Sequence, residues 1–181
     1  MKYYAIHVLT ESEDDYVRRL TPLLGGRRIF CPKRVLTIRR RGIQRKETSP
    51  VFPGYVFLES EDLLGDLDTY WAARRTPGFI RFLRDNSAPL ALSEQDRQLL
   101  LHFMSFGEYA DTSKVSFDEN DRIVVLAGPL KGLEGKIVKV NRRRGRAKVA
   151  LDICETGFLI DLGFEAVERM TDRGGAANED N

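Results

Sequence analysis

The hydrophobic and polar pattern divides the chain into two differently built parts. Tyr3 to Leu9 is a short apolar run that predicts a strand. A helix is expected from Ser12 to Leu24. Ser12 stands as its N-cap, Glu13, Asp14 and Asp15 fill the first turn where the helix dipole favours anions, and Gly25-Gly26 stops it. Ile29 to Phe30 and Arg34 to Ile38 are strand-like, the latter β-branched at Val35, Thr37 and Ile38. The polar stretch Arg39 to Lys46 reads as the tip of a long hairpin, with Val51 to Leu58 as the returning strand. At the mouth of that strand Pro53-Gly54 suits a tight bend, because Pro fixes φ and Gly accepts a positive one. Asp62 to Ala73 predicts another helix, broken by Thr76-Pro77-Gly78 before a short strand at Phe79 to Leu83. Ser93 to Phe103 is amphipathic, capped by Ser93, with Leu99, Leu100 and Phe103 on one face.

Gly107 to Lys114 is polar and carries no apolar period, as a linker does. Beyond it the pattern changes to short strands at Arg122 to Leu126, Lys136 to Val140, Lys148 to Ile153, Phe158 to Ile160 and Ala166 to Arg169. Gly128-Pro129, Gly132, Gly135 and Gly145 punctuate them. Closely spaced short strands imply a small barrel, since closure removes exposed edges. The expected organisation is an α+β domain over residues 1–106, a linker over 107–117, a β-barrel over 118–170 and a disordered tail over 171–181.

Net charge is only +2, yet the charges are segregated. Between Tyr16 and Lys46 the chain carries Arg18, Arg19, Arg39, Arg40, Arg41, Arg45 and Lys46 among other bases, with no acid. From Lys136 to Leu151 it carries Lys136, Lys139, Arg142, Arg143, Arg144, Arg146 and Lys148, again with no acid. Two basic runs in predicted hairpins favour a nucleic-acid partner over two solvated faces. Chemistry of other kinds finds no motif. Gly128, Gly132 and Gly135 belong to a β-hairpin rather than a strand-to-helix turn, so no phosphate-cradling loop is formed. His7 and His102 have no partner at a recognisable catalytic spacing, and Cys31 and Cys154 are in no metal-type spacing. The expectation is a monomeric non-enzyme with no cofactor and no metal, reduced and cytoplasmic. The chain enters its first strand directly at Met1-Lys2-Tyr3-Tyr4, without a signal-peptide pattern or a membrane span.

Two stretches carry a family resemblance. VFPGYVFLE (51–59), after a basic tip and followed by TPGFIRFL (76–83), resembles the N-terminal domain of the NusG family of transcription elongation factors. DRIVVLAGPLKGLEGKIVKVNRRRGRAKVAL (121–151) resembles the KOW motif that ends those proteins. The resemblance implies an antiparallel sheet with flanking helices, joined by a flexible linker to an SH3-like barrel, and no catalysis. It implies that the first domain sits on the clamp helices of the largest RNA polymerase subunit. The aromatics after the Pro-Gly turn map onto Tyr55 and Phe57, with Phe52 beside them and His7 on the first strand. Periodicity alone favours the core for Tyr55 and Phe57, because apolar strand faces usually pack inward, and the resemblance reverses that preference. Tyr70 and Trp71 fall where the family's second polymerase contact begins, and Trp71 is as well explained as core. The tip Arg39, Arg40, Arg41, Arg45 and Lys46 is expected to meet upstream DNA. Arg18, Arg19, Arg74 and Arg75 are candidates for the non-template strand, or a solvated helix end.

Family members also carry a late barrel loop around Phe-Gly-Arg-x-Thr-Pro that serves contacts to termination factor Rho and ribosomal protein S10. Here the matching stretch is Ile153 to Leu159, with Cys154 in place of the aromatic and Glu155 in place of the glycine. The hairpin Asn141 to Arg146 is unusually basic. Together with Lys131, Lys136, Lys139 and Lys148 it suits a folded leader RNA. These departures resemble specialised paralogues of the RfaH and LoaP kind, which suppress termination on selected operons. The alternatives are a general housekeeping member of the family and, from another class, a KOW-type ribosomal or RNA-binding module.

Overall fold

The computed structural model describes residues 1–83 and 86–167. Its elements are β1 (Lys2–Val8), α1 (Glu13–Leu20), β2 (Ile29–Phe30), β3 (Lys33–Arg40), β4 (Ile43–Pro50), β5 (Tyr55–Ser60), α2 (Leu67–Arg75), β6 (Phe79–Phe82) and α3 (Glu94–Met104). They are followed by β7 (Tyr109–Ala110), β8 (Ser113–Phe117), β9 (Ile123–Ala127), β10 (Ile137–Asn141), β11 (Arg146–Ile153) and β12 (Thr156–Ala166). A four-stranded sheet of order β2-β5-β1-β6 forms the centre of the first domain. A five-stranded sheet, β10-β11-β12-β8-β9, forms the second, and a three-stranded sheet, β4-β3-β7, pairs the hairpin inserted between β2 and β5 with a short strand after α3.

Strand β5 explains how the first domain is layered. Val56 and Leu58 point to one face, where Tyr16 and Leu20 of α1 and Tyr70 and Ala73 of α2 complete a core with Tyr4, Ile6 and Phe82. Tyr55 and Phe57 point to the other face, with Ala5, Leu100 and Phe103. The bend that launches β5 is a type II turn: the Tyr55 amide donates to the Phe52 carbonyl at 3.1 Å, and Gly54 takes φ +81°. Gly54 is tied on both sides. Its amide donates to the buried carboxylate of Glu13 at 2.6 Å, and its carbonyl accepts from the Val8 amide at 2.8 Å.

Three expectations about the strands are corrected. The hairpin partner of β3 is β4, in register from Lys33↔Pro50 to Arg40↔Ile43, while Tyr55–Ser60 leaves for the other sheet. The turn is Arg41-Gly42, both at positive φ, as a two-residue hairpin loop requires. Because β4 is almost wholly exposed and polar, hydropathy hid it. The second correction concerns 107–117, expected as a linker. It holds β7, paired in parallel with β3, and β8, paired in parallel with β12 and antiparallel with β9. Alternation with polar residues conceals β8, yet Ser113 and Ser116 are buried, and Ser113 Oγ accepts from the Leu130 amide at 2.9 Å. Third, the strand expected at 158–160 is longer: β12 runs unbroken from Thr156 to Ala166, the first residue of the strand expected at 166–169, and pairs with β11 from Arg146↔Gly163 to Ile153↔Thr156; residues 168 and 169 lie outside the described residues. Helix α2 starts at Leu67 rather than Asp62, with Asp66 capping the Thr69 amide at 3.3 Å. Ser93 caps α3 as expected, accepting from the Asp96 amide at 3.2 Å, whereas Ser12 makes no side-chain cap. The tail 171–181 lies outside the described residues.

Ala147, Val149, Leu151 and Ile153 alternate inward along β11 to build the second domain's interior with Ile160, Leu162 and Phe164. Gly128, at φ +96°, closes the loop after β9. A Cβ there would stand 2.6 Å from the Ser113 Cα, which is backbone and cannot yield. Gly128→Ala is therefore expected to destabilise the chain by about 1–3 kcal/mol. In thermal unfolding, a Tm unchanged within error would contradict the register of β8 against β9.

Candidate functional site

The aromatic face of β5 is closed over by the second domain. Phe52 and Phe57 lie edge to face at 5.8 Å and form the floor, fully buried, with Phe103 of α3 packed edge-on against Phe52 at 5.8 Å. Above them Tyr55 stacks on His7, ring centroids 5.0 Å apart. The remaining cover comes from the β11–β12 turn. Phe158 sits edge-on to Phe52 at 5.5 Å and to Tyr55 at 5.6 Å, and the Tyr55 hydroxyl lies 3.4 Å from Thr156 Oγ1. Consequently Tyr55 is 6% exposed. Tyr55 and Phe57 are thus buried, with α3 covering one portion of the aromatic face and the second domain covering the rest.

Polar contacts fix this docking. Asp96 Oδ1, on the first turn of α3, accepts from the buried Cys154 amide at 3.1 Å. His102 Nε2 is 2.8 Å from the Pro129 carbonyl. On the hairpin side, Arg34 donates to the Asp161 carbonyl and Arg146 Nη2 donates to the Thr37 carbonyl at 3.1 Å. Cys154 and Glu155 both take positive φ and make the tight turn that presents Phe158. That is the stretch in which the chain departs from the family's loop. Sequence reasoning missed Asp96, Thr156, Phe158, Asp161 and Arg34 as contacts, because each pairs across 58 to 127 residues of chain in the hydrogen-bonded cases and leaves no local pattern. Burial, reinforced by the positive charge of Arg81, lowers the His7 pKa from the usual histidine value. Burial also pushes the Cys31 thiol up to about 12, which removes it as a thiolate nucleophile at neutral pH.

The basic candidates separate into three groups. Arg39, Arg40, Arg41 and Arg45 are exposed on the β3–β4 ribbon, and Lys46 beside them is paired with Asp111 at 2.9 Å. Arg143, Arg144 and Arg146 stand opposite that ribbon across a cleft of about 830 Å³, which Lys139 and Lys148 extend on the barrel side. Arg142 is turned away, 2.9 Å from Asp121 with its guanidinium 3.5 Å over the Phe117 ring. Lys131 reaches the Val125 carbonyl at 3.1 Å, and Lys136 lines neither cleft. The third group surrounds Trp71, which is 44% exposed rather than core. Arg74 and Arg75 lie over its ring at 5.3 and 5.5 Å, and Arg19 lines the same hollow. Arg18 is engaged with Asp15 at 2.6 Å, and Tyr70 is buried, its hydroxyl donating to the Asn86 carbonyl at 2.7 Å. Among the described residues no cluster of His, Cys, Asp and Glu is placed to hold a metal ion, and no helix is long and apolar enough to cross a membrane.

The fold is thus of a two-domain class, a helix-flanked sheet with an aromatic face followed by a small β-domain. The profile described as "Transcription termination factor nusG" matches residues 1–101, and that described as "KOW motif" matches 119–149. The chain belongs to the NusG family, whose members are transcription termination and antitermination factors. It is similar to the "Transcription termination/antitermination protein NusG" of Thermus thermophilus, 25% identical over 92% of this chain and 97% of that one. The Pseudomonas aeruginosa protein of the same description is 27% identical over 93% and 98%. A solved structure described as "Domain interaction in Thermotoga maritima NusG" shares the fold, with a TM-score of 0.50 at 18% identity over 90% of this chain and 93% of that one.

Removing the Phe158 ring takes away the apolar contact it makes with Phe52 and Tyr55 across the domains, and thins the packing beside its cross-strand partner Leu151. Phe158→Ala is expected to weaken the closed arrangement by about 1–3 kcal/mol, less than a fully buried Phe because Phe158 is only half-buried. Amide relaxation should then give two rotational correlation times, one per domain. A single shared time in that variant would contradict the contact.

Proposed function

We propose that this chain is a specialised NusG-family antiterminator. It binds RNA polymerase through the His7–Phe52–Tyr55–Phe57 surface, and its own barrel must leave that surface first. The observation that carries the reading is the cover itself. An aromatic face that needed only a core would be closed by its own helix, whereas here Phe158 and Thr156 of another domain complete it. A cover on a separate domain can be exchanged for a partner of like chemistry, such as the paired apolar and polar helices of the polymerase clamp. The exposed Trp71, flanked by Arg19, Arg74 and Arg75, supplies a second contact for the polymerase or the non-template strand. The hairpin tip with Arg39, Arg40, Arg41 and Arg45 extends toward upstream DNA, and the barrel arginines toward a leader RNA.

Specialisation is favoured over the housekeeping role by the Ile153–Phe158 turn. Its Cys154-Glu155 pair serves the docking contact, so in the closed form the segment that would meet Rho or ribosomal protein S10 is used inside the molecule. Two measurements test the reading. Affinity for an isolated clamp-helix fragment should rise about tenfold or more in Phe158→Ala, because the binding-competent population grows. Tyr55→Ala, introduced into that opened variant, should remove the gain. Equal binding by all three proteins would overturn the groove assignment. Terminator read-through on the DNA flanking the gene, but not on an unrelated template, would separate the specialised from the general role.

A further inference from the structure

Docking brings together two basic elements that the sequence keeps about a hundred residues apart. One wall of the cleft between the domains is the β3–β4 ribbon, with Arg39 and Arg40. The other is the barrel turn, with Asn141, Arg143, Arg144 and Arg146. Among the described residues no acid lines this cleft, which holds about 830 Å³. It runs into a smaller one of about 210 Å³ that shares Arg144 and Arg146 and adds Lys139 and Lys148, the latter held by Asp161 at 3.0 Å. The walls are built, not loose. Asn141 Oδ1 accepts from the Arg144 amide at 3.0 Å and shapes the barrel turn. The ribbon is anchored to the barrel through Thr37 and Arg34. Arg146 Nε is buried with no hydrogen-bond partner.

Five guanidinium groups converging from two domains repel one another, so this part of the docked arrangement costs free energy unless an anion lies between the walls. The cleft has no aromatic lining side chain among the described residues, so it offers no stacking platform for unpaired bases. What it offers is a fork of donors from each side, which suits the phosphates of a double-helical segment read by shape. We propose that this cleft is a composite site for the phosphate backbone of a nucleic-acid duplex, complete only when the barrel is docked. Bound nucleic acid then holds the two domains together and opposes uncovering of Tyr55. The inference rests on the nucleic-acid reading of the barrel turn and adds that both domains grip the same ligand. By linkage, whatever factor the duplex contributes to closure, it subtracts from the affinity of any partner that needs the aromatic face.

The test uses the full chain and two probes of equal length, an RNA stem-loop and a DNA duplex, titrated at several salt concentrations. Arg39→Ala/Arg40→Ala and Arg143→Ala/Arg144→Ala should each weaken binding about tenfold or more and lower the salt slope by about 2. Phe158→Ala, which lines neither wall, should weaken it about threefold or more by separating them. Retained far-UV circular dichroism controls for folding, and the ribbon pair, fully exposed, tests the proposal independently of Phe158. Preference for the RNA stem identifies folded RNA as the source of the phosphates, and preference for DNA identifies a duplex template; either supports the site. Loss with the barrel variant alone, with the ribbon variant and Phe158→Ala unchanged, overturns the composite site and leaves the barrel–RNA reading standing. No binding of either probe by the unaltered chain overturns both.

Discussion

A strand that is apolar on both faces must be covered on both, and β5 is such a strand. Val56 and Leu58 are covered by α1 and α2 in the ordinary manner of a sheet with flanking helices. Tyr55 and Phe57 are left to α3, which has only Leu100 and Phe103 fully buried against that side. One helix of eleven residues does not span the face of a four-stranded sheet. The uncovered portion would expose Tyr55 and part of Phe52 to water, at a cost of roughly 25 cal/mol per Å² of apolar surface. The barrel turn closes that gap. The layering of the first domain, the docking of the second and the identity of the candidate binding surface all follow from this single shortage of cover.

Electrostatics then act on the same hinge between the domains with the opposite sign. The apolar contact through Phe158 favours closure. The approach of the β3–β4 ribbon to the Asn141–Arg146 turn places like charges across a cleft and disfavours it. Burial pushes the Arg34 pKa down, with Asp161 opposing that shift and Arg146 adding to it, so the anchor itself sits in a strained electrostatic setting. If the proposed sites hold, such a balance makes closure sensitive to salt and polyanions as well as to apolar partners, because each relieves a different interaction.

Local signals made much of the fold legible. Ser93 as a cap, the Pro53-Gly54 turn and the inward alternation of Val149, Leu151 and Ile153 are all properties of neighbouring residues. The failures share one cause. β4 is a strand because β3 offers it hydrogen bonds, not because its own residues are apolar, and β8 hides behind two serines that are buried for reasons elsewhere in the chain. The aromatic surface was legible as residues, since a turn followed by alternating aromatics marks a face. Its cover was not. Asp96 with Cys154 and Phe158 with Tyr55 are pairings between domains, and no spacing within either domain encodes them.

The closing contacts are also of a strength suited to being undone. Those that cross the domains include the half-buried Phe158 ring and a handful of hydrogen bonds, two of them to backbone carbonyls from arginines, beside a buried apolar cluster that runs through both domains. Each such bond contributes a net of about 1 kcal/mol once its hydration is replaced. The short connection through Asp111 and Thr112 keeps the barrel at high effective concentration, so even this modest contact holds the domains together in isolation. A partner that buries Tyr55 and Phe52 with nanomolar affinity has about 12 kcal/mol to spend and can displace it. On the proposed function, closure of this kind would cover the aromatic face until a specific partner displaced it.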